Sequence, residues 1–518
     1  MFVIALLPIL WLVLAMCVLK MSAWKACSLA LVISLIVAIP VFGMVPLDAA
    51  TAVLEGIALA CWPILLVVIA TIFTYNLAVG TRAMETIKQL LTSVSSDKRV
   101  LALLIGWGFG GFMEGMAGFG TAIAIPAGML VSIGFNPVIA AVSCLIANSV
   151  PTAYGSIGIP LITLANVTGT DATQLATYTA VQLAPLNLLC PPLIVMTVGK
   201  SFSALKGVGI ITLAASLGFL LPELAVSYFM GPDLAVVAAA VCTMGIIVVT
   251  AKLFPVKDPK YKLGMVGTVK AKANVTKKKV TTKKAIIACL PFILIFFFLL
   301  FTSKLFPFIH DPLASIKSSV LIYTGEGGVP YTFTWVATPG VLILLAAIIG
   351  GKVQEASNHR IFWEFVRTVK NLIYVIISIV TVIATAKVMG YSGMTQQIAD
   401  AAVAATGTGY PAIAALIGSV GTFITGSATS SCVLFGNLQT SAAQAIGASP
   451  NAQAWIAAAN ATGACAGKMI SPQSIAIALG AIGTKGIESQ LMGSAIKYYI
   501  PFVVAMGAIV YFGQNFIG

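Results

Sequence analysis

The sequence predicts an all-α polytopic membrane protein with about twelve transmembrane spans and two re-entrant hairpins, arranged as two inverted-topology repeats. Three observations lead there. Of 518 residues 59% are hydrophobic and only 8% charged, a composition that belongs to a helical membrane protein rather than a water-soluble domain. The apolar runs are interrupted by glycine-rich and hydroxyl-rich stretches where an ordinary spanning helix has neither. The order of those interruptions in the first half then recurs in the second.

Taken in order, apolar runs mark spans near 2–19, 24–43 and 56–79. The first has no charged leader and no small-residue cleavage site before Lys20, so it is expected to be retained. An amphipathic segment over 81–100 is expected to lie on the membrane surface. The next stretch, Gly106-Trp-Gly-Phe-Gly-Gly-Phe-Met-Glu-Gly-Met-Ala-Gly-Phe-Gly-Thr121, places one carboxylate, Glu114, inside a glycine cluster. Its flanking arms, Leu101 to Met113 and Thr121 to Ile133, are each too short for the roughly 20 residues that a spanning helix needs. A hairpin over 101–133 that turns back near the midplane fits them, and its unpaired backbone must be buried in protein or line a wet cavity. The alternative is a single kinked helix in which glycine serves close packing.

A broken span over 138–165 follows, interrupted at Asn148-Ser-Val-Pro-Thr-Ala-Tyr154, and then a span near 177–199. Residues 1–200 make the first repeat. Two linking spans, near 207–230 and 233–253, lead into a basic loop over 254–284. Residues 285–518 make the second repeat, with spans near 285–303, 335–351 and 370–390, a hairpin over 411–443, a broken span over 452–484 and a last span near 495–516.

The repeat rests on an ordered series of matches at nearly constant separation. Gly111-Phe-Met-Glu-Gly115 lines up with Thr422-Phe-Ile-Thr-Gly426, Asn136-Pro137 with Ser449-Pro450, Asn148 with Asn460, and Ile159-Pro160 with Ser471-Pro472. Paired interrupted segments in two halves of a membrane protein point to a transporter's binding site. An odd number of crossings before the second unit makes the repeats inverted.

The basic residues test that count. With both termini outside the cytoplasmic membrane, Lys20, Lys25, Arg82, Lys88, Lys98, Arg99, Lys200, Lys206, the basic loop, Lys352, Arg360, Arg367, Lys370, Lys485 and Lys497 fall inside, and only Lys304 and Lys317 fall outside. The net charge of +14 therefore reads as a positive-inside loop touching anionic lipid. No aromatic residues interleave with the lysines around Lys279 and Lys284, which argues against nucleic acid. Nine scattered cysteines without ligand-like spacing predict neither a disulfide framework nor a metal site. His310 and His359 are the only histidines, leaving little for a hydrolase, and no cofactor is implied.

Glu114, Lys387 and Lys468 are read as the ionisable residues at membrane depth, where charge is costly and marks function by default. Burial disfavours the charged carboxylate, which suits Glu114 as a proton carrier; a structural ion pair with one of the lysines is the alternative. Lys468 precedes the restart of the second broken span, where the positive end of a half-helix and the ammonium would together attract an anion. Lys387 is the other candidate charge partner, or it snorkels to an interface.

The second tip, Thr425-Gly-Ser-Ala-Thr-Ser-Ser431, offers hydroxyls and backbone N–H groups but no charge. The expected substrate contacts are Gly115, Gly118, Asn148, Thr152, Tyr154, Thr425, Ser427, Ser430, Asn460, Lys468, Ser471 and Gln473, a set suited to a small hydroxylated or carboxylated anion. Serine and threonine in membrane helices also bond their own backbone, which is the competing use for each.

Glu114-Gly-Met-Ala-Gly-Phe-Gly120, Thr425-Gly-Ser-Ala-Thr-Ser-Ser431 and Gly467-Lys-Met-Ile-Ser-Pro-Gln-Ser-Ile-Ala476 make the chain resemble the bacterial lactate permeases over nearly its whole length. The resemblance implies proton symport of L-lactate, with D-lactate and glycolate as further substrates. It also implies a distant relation to carriers with inverted repeats and paired hairpins, and by that analogy a homodimer in which one domain moves like an elevator. One departure is Ala428, where an acid is expected in the second tip of many such permeases. Coupling would then rest more heavily on Glu114. A sodium-coupled carrier of a larger carboxylate, a channel-like anion pathway and a membrane-embedded enzyme are the alternatives.

Overall fold

A computed structural model describes residues 1–19, 21–118, 120–256, 258–263, 280–303, 305–484 and 487–517. Lys20, Lys304, Lys485 and most of the expected basic loop, positions 257 and 264–279, lie outside the described residues. In apolar surroundings a helix satisfies its own backbone groups, and helices carry most of the described chain. The described strands are the antiparallel pair Lys317–Val320 and Tyr331–Thr334.

Among the described residues eight helices are long and apolar enough to cross a membrane, and counting each of two bent pairs as one span brings the number to as many as ten. The count of twelve from hydropathy also includes the apolar stretches around Leu7–Met16, Ala23–Ala38 and Pro339–Val353, which form shorter helices.

The helices fall into two groups by packing. In one, Ile373–Tyr391 packs along Ala23–Ala38 and against Pro46–Leu59, while Pro339–Val353 packs against Leu66–Gly80 and Thr282–Phe301. The strand pair is tied to this group, since the Trp62 indole donates to the Thr334 carbonyl at 2.9 Å and the Tyr331 hydroxyl donates to the Trp62 carbonyl. In the other group, Gly209–Phe229 lies between Ala172–Gly199 and Ala235–Leu253; the first hairpin and both broken spans pack with these helices, and the second hairpin packs on the broken spans.

The first hairpin rises through Lys98–Leu101, Ala102–Phe109 and Gly110–Met116 and returns through Thr121–Ser132. Its base is set by Asp97, which caps the first turn and pairs with Arg99 at 2.8 Å. Arg99 is fully buried and donates to the carbonyls of Ala204 and Lys206. The hydropathy reading placed Arg99 simply on the cytoplasmic surface; instead its charge is spent inside the protein, fixing the hairpin to the turn before Gly209–Phe229.

The second hairpin is Tyr410–Thr425 and Ala428–Ala445, joined through Gly426 and Ser427. The broken spans follow each hairpin directly. Pro137–Asn148 meets Pro151–Thr168 at a 60° bend, and Pro450–Ile470 meets Pro472–Ile482 at 46°. Both open alike: Asn136 and Ser449 cap a helix whose first position is proline, where the missing N–H costs nothing. The second hairpin approaches its broken span closely. A Cβ on Gly463 would stand 1.8 Å from the Ala415 carbonyl oxygen, and one on Gly467 2.1 Å from that of Ser419. Only glycine permits this crossing.

Candidate functional site

The two hairpin tips and the two breaks converge. Glu114 occupies the last turn of Gly110–Met116 and is 2% exposed. Lys468 occupies the last turn of Pro450–Ile470 and is 8% exposed. Its Nζ donates to Glu114 Oε1 at 2.5 Å, across 354 residues of sequence. Glu114 Oε2 is buried and has no hydrogen-bond partner among the described residues. Gly155 lets the carboxylate come this close, because a Cβ there would lie 2.7 Å from Oε1.

The pair faces a cavity of about 120 Å³. The first hairpin contributes Glu114 and Gly118, the first break Thr152 and Ser156, the second hairpin Thr425, Ser427 and Ser430, and the second broken span Lys468 and Gln473. Met16, Cys27 and Ile379 of the other helix group close one side.

The tip conformations follow from local sequence. Gly426 takes φ +68°, and a Cβ on it would stand 1.9 Å from Gln473 Oε1, so the second tip is pressed against the second broken span. Ser427 then caps Ala428–Ala445 by accepting from the Ser430 N–H at 3.2 Å. In the first break Ser156 and Ile157 hold φ of 48° and 58°, a left-handed run that a β-branched residue strongly resists. Strain of this kind costs about 1–3 kcal/mol per residue and collects at functional sites. Ser156 Oγ donates to the Ala117 carbonyl at 2.9 Å and so ties the break to the first tip.

The remaining residues of the expected set do not line this cavity. Gly115 packs on Val236 and Val237. Asn148 donates to Thr152 Oγ1 at 3.3 Å, and Thr152 Oγ1 donates to the Asn148 carbonyl at 2.6 Å, which shapes the break. The Tyr154 hydroxyl donates to the Ala176 carbonyl at 2.6 Å, pointing into the neighbouring helix. Asn460 Oδ1 accepts from Gln439 at 3.2 Å, and Ser471 accepts from the Ser474 N–H at the restart of the second broken span. Lys468 itself stays helical; the interruption falls at Ser471, three residues later.

Lys387 has a different partner. Its Nζ lies 2.7 Å from Glu55 Oε1, and the Tyr391 hydroxyl donates to both Glu55 oxygens at 2.9 and 3.1 Å. Glu55 escaped the hydropathy reading because it stands one residue before the span drawn at 56–79. A second acid, Glu223, sits inside the apolar run read as 207–230 and is fully buried beside Asn187. The signal was there, one carboxylate amid some twenty apolar residues. Among the described residues no group of three His, Cys, Asp or Glu side chains could hold a metal ion.

The family model described as L-lactate permease matches residues 1–517. The L-lactate permease of Streptococcus iniae is 42% identical over 464 residues, 89% of this chain and 94% of that protein. The glycolate permease GlcA of Escherichia coli K12 is 31% identical over 534 residues, 98% of this chain and 94% of that one. Among solved structures, Neisseria gonorrhoeae MtrF aligns at 14% identity with a TM-score of 0.45, over 86% of this chain and 80% of that chain.

Proposed function

Because the chain belongs to the L-lactate permease family, we propose that it is a secondary carrier that moves L-lactate, and by the same chemistry D-lactate and glycolate, together with a proton. The observation that carries this reading is the buried Glu114–Lys468 pair in the wall of a small cavity that also presents serine, threonine and glutamine side chains.

The pair explains why anion and proton would travel together. An empty site is neutral, with one carboxylate against one ammonium. A substrate carboxylate that takes over the Lys468 ammonium leaves Glu114 buried without a counter-charge, a loss of about 3–5 kcal/mol for a broken buried pair. Taking up a proton removes that penalty. The loaded site then holds a lysine cation, a substrate anion and a neutral glutamic acid, and is neutral again. Neither the proton alone nor the anion alone restores balance, so the two are bound as a set.

The substrate's hydroxyl would meet Ser427, Ser430 and Gln473, which line the same cavity. One anion with one proton is electroneutral, so the membrane potential, worth about 2.3 kcal/mol per charge per 100 mV, does not drive it. A tenfold proton gradient contributes about 1.4 kcal/mol, or one decade of accumulation. Ala428 at the second tip leaves Glu114 as the acid of this cavity among the described residues.

The architecture we propose has twelve spans in the cytoplasmic membrane, residues 1–200 and 285–518 as inverted repeats, both termini outside and a homodimer as the assembled form. The shared order of hairpin and broken span in the two halves supports the repeat. The deciding experiment is uptake of labelled L-lactate into proteoliposomes under an imposed pH gradient, with and without sodium and with the potential clamped. Accumulation that needs only the pH gradient fits proton symport; dependence on sodium or on potential overturns it.

A further inference from the structure

Glu223 lies in the middle of Gly209–Phe229 and has no exposure, and Asn187, on Ala172–Gly199, has none either. Asn187 Nδ2 donates to Glu223 Oε2. The two atoms left over, Glu223 Oε1 and Asn187 Oδ1, are both buried and both without a partner among the described residues. As an ionised carboxylate, Glu223 would offer only acceptors here, and the amide oxygen beside it is an acceptor too. Two orphaned acceptors and a net charge would then sit in an apolar helix interface.

Among the described residues no cation is paired with Glu223. Among the described residues the buried ion pairs use Asp97, Glu55 and Glu114, and none involves Glu223. A single proton satisfies every atom. A proton on Oε1 would supply the missing donor: an acid O–H directed at Asn187 Oδ1, beside Nδ2 donating to Oε2, would close a two-bond acid–amide ring. Reversing the amide exchanges which carboxyl oxygen carries the proton but still requires one.

We propose that Glu223 is a second proton-binding site of this protein, holding a proton at neutral pH against the Asn187 carboxamide. The site is separate from the Glu114–Lys468 cavity. It adjoins that cavity's wall, since Ser227, one turn further on, donates to the Tyr154 hydroxyl at 3.2 Å, and Tyr154 precedes the Gly155 that faces Glu114. A neutral Glu223 keeps the wall behind the first break free of negative charge, which would otherwise repel an anion at Lys468. The assignment stands on Glu223 and Asn187 alone and does not depend on the identity of the cargo.

Infrared spectra of the reconstituted full chain at neutral pH test it. The wild type should show the C=O stretch of a protonated, hydrogen-bonded carboxylic acid, Glu114→Gln should keep that band, and Glu223→Gln should abolish it. Glutamine supplies the same donor and acceptor to Asn187, so this variant is expected to fold. If it does not, Asn187→Leu decides: the band should move to the higher frequency of a carboxyl that has lost its amide partner. Absence of the band in wild type, its survival in Glu223→Gln, its loss in Glu114→Gln instead, or an unshifted band in Asn187→Leu would each overturn the assignment.

Discussion

Lys468 Nζ stands 2.5 Å from Glu114 Oε1, so the carboxylate of the first hairpin is neutralised by a cation from the second broken span. Each residue is buried by elements that belong to different halves of the chain. The pair therefore reports directly on whether the two halves are docked, and on what happens when an anion competes for the ammonium.

Glu114→Gln should abolish accumulation of labelled L-lactate driven by a pH gradient while leaving lactate–lactate exchange measurable. The glutamine imitates the protonated acid, so the substrate still finds Lys468 free but no proton is bound or released. Wild-type accumulation in this variant would remove Glu114 from the coupling step.

Lys468→Ala should weaken lactate binding by about 2–5 kcal/mol, the usual cost of removing one partner of a buried, hydrogen-bonded charge pair. Titration of the purified protein would show this as a loss of at least about thirtyfold in affinity. An affinity near wild type would move the anion's partner to the hairpin-tip N–H groups and hydroxyls.

Lys387→Met tests the Glu55–Lys387 pair. Glu55 would keep only the Tyr391 hydroxyl, and melting in detergent should fall by the equivalent of up to about 3 kcal/mol, below the full cost of a broken buried pair because the Lys387 side chain retains 18% exposure. Adding Glu55→Gln should recover most of that loss, since the orphaned charge is gone. Equal melting of wild type and Lys387→Met would show that the pair contributes nothing to stability.

Gly426→Ala should impair transport with little effect on expression. A side chain there must adopt a left-handed φ of +68° and enter the space of Gln473 Oε1, at a cost of about 1–3 kcal/mol confined to the second tip. Unchanged uptake rates would mean that the tip can shift away from Gln473 without consequence for the cavity.

Much of this was legible along the chain. Short apolar arms flank Glu114 and the stretch from Thr425 to Ser431, and helices run on either side of both; Asn136-Pro137 and Ser449-Pro450, which the sequence shows only as a repeated pair, cap and open the first helix of each bent pair. These are local signals: hydropathy fixes where a helix runs, and cap residues fix where it begins. Arg99 and Glu223 were harder, since an averaged hydropathy window absorbs a lone charge that the fold has buried against a single partner.

What the sequence by itself determined is the set of chemical groups placed amid apolar runs: a carboxylate in a glycine-rich stretch, a hydroxyl-rich stretch, and a lysine ahead of a Ser-Pro break. What only the tertiary structure decided is their pairing. Both lysines were eligible partners for Glu114, and the packing of Pro450–Ile470 against the first break gave it Lys468, while Ile373–Tyr391 carried Lys387 to Glu55. Hydropathy and capping act over one or two helical turns. Which charges meet depends on helix crossings between residues hundreds of positions apart, and those are set by side-chain volume at contacts such as Gly56 against Ala384.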